Sequence, residues 1–443
     1  MRGSRTGSLA AVAALVAMIA TVGSASPMGA AGQGEEPAAP EIGVTADEIR
    51  IGVIADVENQ LSPGLFKGAA DSVEAFAKWV NAHGGLGGRK MAVDFLDSHL
   101  TADDARNAVI RACQEDFAIV GTSALFLNNV DDMVACADQS GAPTGLPDIP
   151  GVATEIVQAC SPVSFPINPP TIDCETKDDH PQTYRGNVGA TKYYQQRFGK
   201  DLRAVTVNTN DLQSAHNSIE VGYELAKAAG VDVDAEFNVS ARSPQSAYTP
   251  IVQAIRDGGS TLVMDQLNFA SNISLRKEAT LQGVDDVKVW SCPVSCYERG
   301  FLEQGGSDVE DHFVPLTFLP FDETKTNDML AAFVKTTGED QVTGLGAAAW
   351  AGSVLLRDSI EQIVEDGGPN AVTRKALLDQ LAATHDFDAD GMWGTTDIGA
   401  KVPSACGVIT QVQDGEFVRI RPKKVGTLRC EPKNLLSVEL DLR

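Results

Sequence analysis

The sequence is short of positive charge, of histidine and of long apolar stretches, and each shortage excludes a class of function. Its 443 residues carry 35 basic side chains against 60 acidic ones, a formal net charge of −25. Phosphate binding needs basic patches, so nucleic acid is excluded as a partner and a solvated acidic surface is expected. Six scattered histidines form no H-E-x-x-H pair. The G-x-x-x-x-G-K-[ST] spacing is missing from "HGGLGGRK", and the first βα turn, "ADVENQLSPG", has no G-x-G-x-x-G. Neither a phosphate loop nor dinucleotide binding is supported, and no cofactor or resident metal is expected. "GTSAL" fails as a nucleophile elbow because Leu125 stands where the last glycine belongs. No apolar run is as long as a membrane span, which takes about 20 residues. No cysteine precedes Cys113, so an N-terminal lipidated cysteine is not expected either.

What is present begins with an export signal. Arg2 and Arg5 precede "SLAAVAALVAMIATV", which ends in the small residues "GSASPMGAAG". Residues 1–31 read as a signal peptide, with cleavage after Ala25 and after Ala31 fitting equally well. The mature chain is expected to be soluble and secreted, or held in the periplasmic or cell-wall space. "GQGEEPAAPEIG" lacks an apolar period, and residues 32–47 read as a disordered leader. Eight cysteines in an exported chain point to disulfides, with nearest-neighbour pairing Cys113–Cys136, Cys160–Cys174, Cys292–Cys296 and Cys406–Cys430. Cys292-x-x-x-Cys296 lacks the spacing of a redox or metal motif, and Pro293 favours a tight turn closed by a bridge.

From Glu48 onward, strand and helix patterns alternate. "EIRIGVIAD", "KMAVDFLD" and "FAIVG" read as strands. Val73, Phe76, Ala77 and Val80 form one apolar helix face, stopped by Gly84 and Gly85. Thr101 and Asp104 make a capping box, and "DDMVACADQSG" reads as a further helix. After a break rich in Pro, Asp and Thr between Ser161 and Tyr184, the alternation resumes through "RAVTVN", "VDVDAEFNV", "STLVMD" and "DVKVWS". Repeated βα units imply an α/β fold of parallel sheets with helices on both faces. In "DFDADGMWGTTD", Asp386, Asp388, Asp390 and Gly391 match the start of a calcium loop, with Asp397 in the place of the usual glutamate. The glycines and Trp393 favour an acidic turn instead.

"GVTADEIRIGVIAD", "FAKWVNAHGGLGGRKMAVDFLDS", "FAIVGTSA" and "SGAP" resemble the type I solute-binding proteins of ABC importers, the leucine/isoleucine/valine-binding group. Asn81, Gly84, Gly85, Gly88 and Arg89 fit that family's N-x-x-GG-x-x-GR stretch, and the resemblance runs from Gly43 almost to the C-terminus. It implies two Rossmann-like, doubly wound lobes joined by three crossovers, with a small solute held between them and membrane permease subunits as partners. The lobes would span 49–182 plus 312–404, and 183–311 plus 405–443. The candidate ligand-binding residues lie on loops at strand ends. They are Asn59, Gln60, Thr122, Ser123, Ala124, Leu125, Phe126 and Asp148 in one lobe, and Asn210, Asp211, Ser214, Asn268, Phe269, Val294 and Tyr297 in the other. Thr122 and Ser123 have two readings, ligand contact or helix capping. No residue is assigned a catalytic role.

The resemblance also shows a difference. Members that bind branched-chain amino acids hold the ligand carboxylate with a serine and a threonine. They hold its ammonium with an acidic residue near a tyrosine. Those positions carry Leu125, Pro150, Val294 and Ser214 here, with Ser123, Asp148 or Asp211 as substitutes if the register slips. The expected ligand therefore lacks a free α-ammonium. Phe126, Phe269, Trp290 and Tyr297 would either face an apolar ligand or belong to the core. A ligand sensor for a signalling receptor and a secreted enzyme are the alternative functions. The cysteine pattern makes one prediction: thiol labelling of unreduced, denatured protein gives no signal. Stoichiometric labelling at Cys113 or Cys136 would overturn the pairing.

Overall fold

The computed structural model describes residues 36–60, 63–211 and 213–442, so the expected signal peptide lies outside the described residues. The first layer is built from β1 (Glu48–Ala55), α1 (Lys67–Ala82), β2 (Lys90–Asp97), α2 (Ala102–Glu115), β3 (Ala118–Val120), α3 (Asp131–Val134), β4 (Asp148–Ile149) and α4 (Ile156–Ala159). Its sheet is wholly parallel in the order β2-β1-β3-β4. Then come β5 (Gln182–Asn187), α5 (Gly189–Phe198), β6 (Arg203–Thr209), α6 (Gln213–Ala228), β7 (Asp232–Val239), α7 (Thr249–Asp257), β8 (Leu262–Gln266), α8 (Phe269–Leu281), β9 (Val289–Ser291), α9 (Arg299–Gly305) and β10 (Phe313–Leu316). The chain returns to the first layer through α10 (Asp328–Thr337), α11 (Gly344–Gly367) and α12 (Arg374–Ala382). It ends with β11 (Cys406–Gln413), β12 (Glu416–Arg421), β13 (Arg429–Cys430) and β14 (Leu435–Leu440).

The second sheet runs β12-β11-β10-β9-β8-β6-β7, with β13 paired to β11. Its strands β6 to β10 are parallel, as the βα repeat requires. β11, β12 and β13 add an antiparallel edge that the repeat did not announce. β5 and β14 pair only with each other, as an antiparallel ribbon. The chain thus passes between the two sheets three times. One expected boundary moves: His312 to Leu316 fall in the second sheet, because β10 bonds to β9 and β11 there.

Local signals explain most elements. Val73, Phe76, Ala77 and Val80 are all buried on α1. Gly85, at φ +78°, leaves no room for a side chain: an added Cβ would lie 2.0 Å from the Arg89 carbonyl oxygen. The Thr101 hydroxyl caps α2 by accepting from the Asp104 amide. The helix expected over "DDMVACADQSG" stops after one turn at Val134 and gives way to a bridge between Ala137 and Pro143. All four expected disulfides are present, and the described residues include no free cysteine.

The leader is a correction. From Glu36 it is ordered, because a buried arginine and a buried glutamate tie it down. Arg89 donates to the carbonyls of Ala38, Thr45 and Pro369. The Glu41 carboxylate accepts from the amides of Gln139 and Arg374. The acidic turn is confirmed as a turn: Phe387 bridges Thr396, Asp390 pairs with Arg357 and Asp397 with His385. Among the described residues no helix is long and apolar enough to cross a membrane.

Asp116 is a buried carboxyl of the first layer without a hydrogen-bond partner. The nearest cation, Arg50 Nε, is 3.8 Å away. Burial, reinforced by Asp94 and Glu115 against Arg50 and Arg111, pushes its pKa up to about 7. The folded state keeps a proton that the unfolded chain has released, so this group's contribution to stability falls as pH rises from about 4 to 7. Asp116→Asn removes that slope. Denaturation at pH 8 and pH 4 should show a gain larger at pH 8, on the order of 3 kcal/mol. An equal effect at both values would refute the assignment.

Candidate functional site

The carboxyl ends of β1, β2 and β3 are held together by two crossed carboxylates. Asp56, buried at the end of β1, accepts from Ser98 Oγ at 2.6 Å, the Leu100 amide at 2.9 Å and the Leu125 amide at 2.8 Å. Asp97, at the end of β2, accepts from the amides of Val57, Glu58 and His99. Each aspartate therefore holds the loop that follows the other's strand. Burial raises the Asp56 pKa, and the three donors oppose the rise.

After β3 the backbone turns at Gly121, at φ +69°, where an added Cβ would lie 2.7 Å from Val73 Cγ2 and 3.1 Å from Ala349 Cβ. That close approach is why the strand gives way to glycine. The small residues at the start of α11, Gly346 to Ala349, pack below this turn and below Gly151 of the next loop. The Thr122 carbonyl accepts from the Gly151 and Val152 amides, joining the two loops. Gly344, also in α11, donates its amide to the Tyr297 carbonyl and abuts Val294, so the same helix reaches the second layer.

The expected site residues separate into three groups. Leu125 belongs to the large main core, and Phe126, Phe269 and Val294 are partly buried against that same core, as are Val57 and Val152. Asn59 and Gln60 lie on the loop after β1, half-buried and exposed, and Asn210 is exposed after β6. Ser214 opens α6, and its side chain lies outside the described part of the structure.

The remainder are engaged in the fold itself. Ser123 is buried and donates to the Gly121 carbonyl, and no helix follows for it or Thr122 to cap. Thr122 Oγ1 lies beside the Asp148 carboxyl without a well-formed hydrogen bond. Asp148 is sealed in β4, accepting from Gln158 Nε2 and Ser164 Oγ, with its pKa raised by burial. Ala124 belongs to the apolar cluster against α2. Asp211 accepts from Thr209, Ser240 and Ala241, and Asn268 caps α8. Tyr297 is a core ring, packed against Phe318, Phe321 and Phe417, with its hydroxyl accepting from the Phe321 amide. Trp290 is also core, with the Arg276 guanidinium over its face.

A cavity of about 230 Å³ lies against the second sheet and is lined by Thr206, Asn208, Asp265, Gln266 and Pro293. Thr206 Oγ1 and Asn208 Oδ1 are buried there without partners. Burial pushes Asp265 up to about 8, so at neutral pH it carries a proton and the lining is largely uncharged. The signal was available in "RAVTVN": a strand of a covered parallel sheet should be apolar throughout, and polar residues at alternate positions mark one face as special.

Asp56→Ala would strand two backbone amides and a hydroxyl at the rim of the first layer. Unsatisfied buried donors cost about 1–3 kcal/mol each, so a loss of at least about 3 kcal/mol in urea denaturation is expected. Amide exchange at Leu100 and Leu125 should accelerate, and unchanged exchange there would refute this role.

Comparison with known proteins fits this architecture. A family described as "Periplasmic binding protein" matches residues 48–416. No curated protein matches the sequence. Among solved structures, a fatty acid ABC transporter substrate-binding protein from Thermomonospora curvata is similar at 15% identity and a TM-score of 0.66, over 87% of this chain and 97% of that one. The leucine-binding protein LivK from Thermotoga maritima is similar at 13% identity and 0.66, over 87% and 99%. LivJ from Streptococcus pneumoniae, solved in complex with isoleucine, is similar at 14% identity and 0.62, over 84% and 100%. With its two α/β layers, three crossings and a family match over most of its length, the chain belongs to the periplasmic binding protein family.

Proposed function

We propose that this chain captures a solute with an apolar or aromatic body and no free α-ammonium between its two lobes, and delivers it to an ABC importer of the branched-chain amino acid type. Family membership supports capture and delivery. The ligand class rests on the family resemblance, which puts Val294, half-buried against the apolar core, at the position of the acid that pairs with the ammonium in amino acid binders. Leu125 and Pro150 likewise replace the hydroxyls that hold the carboxylate. The substitutes a shifted register would bring in, Ser123, Asp148 and Asp211, already bond to other groups of the protein.

An ammonium closed in such a cleft without a carboxylate partner would cost several kcal/mol, enough to cancel useful affinity. Phe126 and Phe269, partly buried against the same core, suit an apolar body. The Thermomonospora curvata relative, a fatty acid transporter's binding protein, shares the fold at 15% identity, which carries no ligand across. The leucine- and isoleucine-binding relatives share the fold at an identity that does not carry a ligand across.

Calorimetric titration with leucine, isoleucine and valine should show dissociation constants weaker than micromolar. A micromolar or tighter constant for any of them refutes the ligand class. Native mass spectrometry of protein from its own host would weigh the true ligand. Saturation with that ligand should shrink the radius of gyration by hinge closure. It should also stabilise the fold by about 2.7 kcal/mol at a hundredfold excess over the dissociation constant. An unchanged radius would reject the two-lobe trap.

A further inference from the structure

The strongest concentration of positive charge in this acidic chain lies at its C-terminal end. Between 419 and 433 stand Arg419, Arg421, Lys423, Lys424, Arg429 and Lys433, with Glu431 as the one carboxylate. Arg419 is spent on Glu323, inside the molecule. The others surround or flank a cavity of about 370 Å³, into which Lys192, Arg421, Arg429 and Lys433 project with Glu431. Four cations there face one carboxylate, in a protein whose net charge is −25.

The cations are held rather than loose. Lys192 Nζ donates to the Lys433 carbonyl, and Arg421 donates to Gln196 Oε1 at 2.6 Å while lying 5.6 Å from the centre of the Tyr193 ring. Arg429 and Lys433 both pair with Glu431. A guanidinium has five N–H donors and an ammonium three, so each keeps donors to spare. The first turn of α5 also borders the cavity at Gly189 and Ala190, adding the partial positive charge of a helix start.

We infer that this cavity binds a small organic polyanion bearing phosphate or carboxylate groups, at a site separate from the interlobe cleft. Its volume exceeds what a bare phosphate fills, and the Tyr193 ring offers a surface for an organic body. The place has a mechanical meaning as well. Asn187 at the end of β5, Thr317 just past β10 and Cys406 at the start of β11 all line it, one from each passage of the chain between the sheets. A polyanion there would bridge the three segments that flex when the lobes close.

The test uses the mature protein at low ionic strength, with inorganic pyrophosphate and citrate titrated separately by calorimetry. Saturable one-site binding of either is expected, and the tighter of the two distinguishes phosphate from carboxylate recognition. Arg421→Gln should weaken it at least about tenfold. Lys433→Gln, whose side chain is exposed, should weaken it in the same direction without disturbing the packing. Lys423→Gln and Lys424→Gln, on the neighbouring exposed turn, should change it less than about twofold. Absence of saturable binding for both anions overturns the inference. So does equal weakening by all four variants, which would mean diffuse attraction to a basic patch. Because no cleft ligand enters the experiment, neither result bears on the proposed solute.

Discussion

A buried carboxylate and a half-buried one, at the ends of neighbouring strands, fix the loops at the carboxyl edge of the first sheet. Loops at the carboxyl ends of parallel strands are free to wander unless something satisfies their backbone amides. Asp56 and Asp97 do this reciprocally, each accepting from the loop beyond the other's strand, and Asp56 extends the tie to Leu125 after β3. The cost is a desolvated charge, visible in the raised Asp56 pKa. The result is a loop edge whose backbone amides at Leu100 and Leu125 are satisfied. α11 supports the same edge from below. Its glycine- and alanine-rich start lets the helix approach the turns at Gly121 and Gly151 closely enough to lock them.

The two layers are also held in firm contact with each other. The firm contact is a buried ion pair: Glu323, on the way into α10, accepts from Arg419 of β12 at 2.6 Å and from the Gly426 amide at 2.8 Å. Arg419 also donates to the carbonyls of Pro422 and Thr427. Both side chains are almost wholly buried. Such a pair adds little net stability compared with apolar residues of the same volume, but removal of one partner strands the other charge at roughly 3–5 kcal/mol. It therefore fixes which surfaces meet. Around it, the β5–β14 ribbon and the Cys406–Cys430 bridge confine the crossing segments to one edge.

Much of the fold was legible in the amino-acid order because its determinants are local. The apolar face of α1, the Thr101 cap, the glycine stop after His83 and the short-range disulfide partners all depend on residues within a few turns or one loop of each other. The site was less legible. Leu125, Phe126, Phe269 and Val294 were singled out by a family resemblance, and in the structure they lie in or against the main core. Asp148 and Tyr297 occupy the same kind of strand-end position, yet their side chains turn inward to Gln158 and Ser164, and to a nest of phenylalanines. A strand-end position says which loop a residue belongs to, while the face it takes depends on the neighbouring strand.

By itself the sequence determined the alternation of strands and helices, the parallel character of the main sheets and the disulfide pairing. These follow from periodicity and from cysteine spacing. Only the tertiary structure decided that Arg89 would anchor the leader through three distant carbonyls, that β10 would join the second sheet, and that Arg421, Arg429 and Lys192 would meet in one cavity. The physical reason is common to all three. Their partners are hundreds of residues away or on another element, and a hydrogen bond or a shared cavity exists only once the chain has closed on itself.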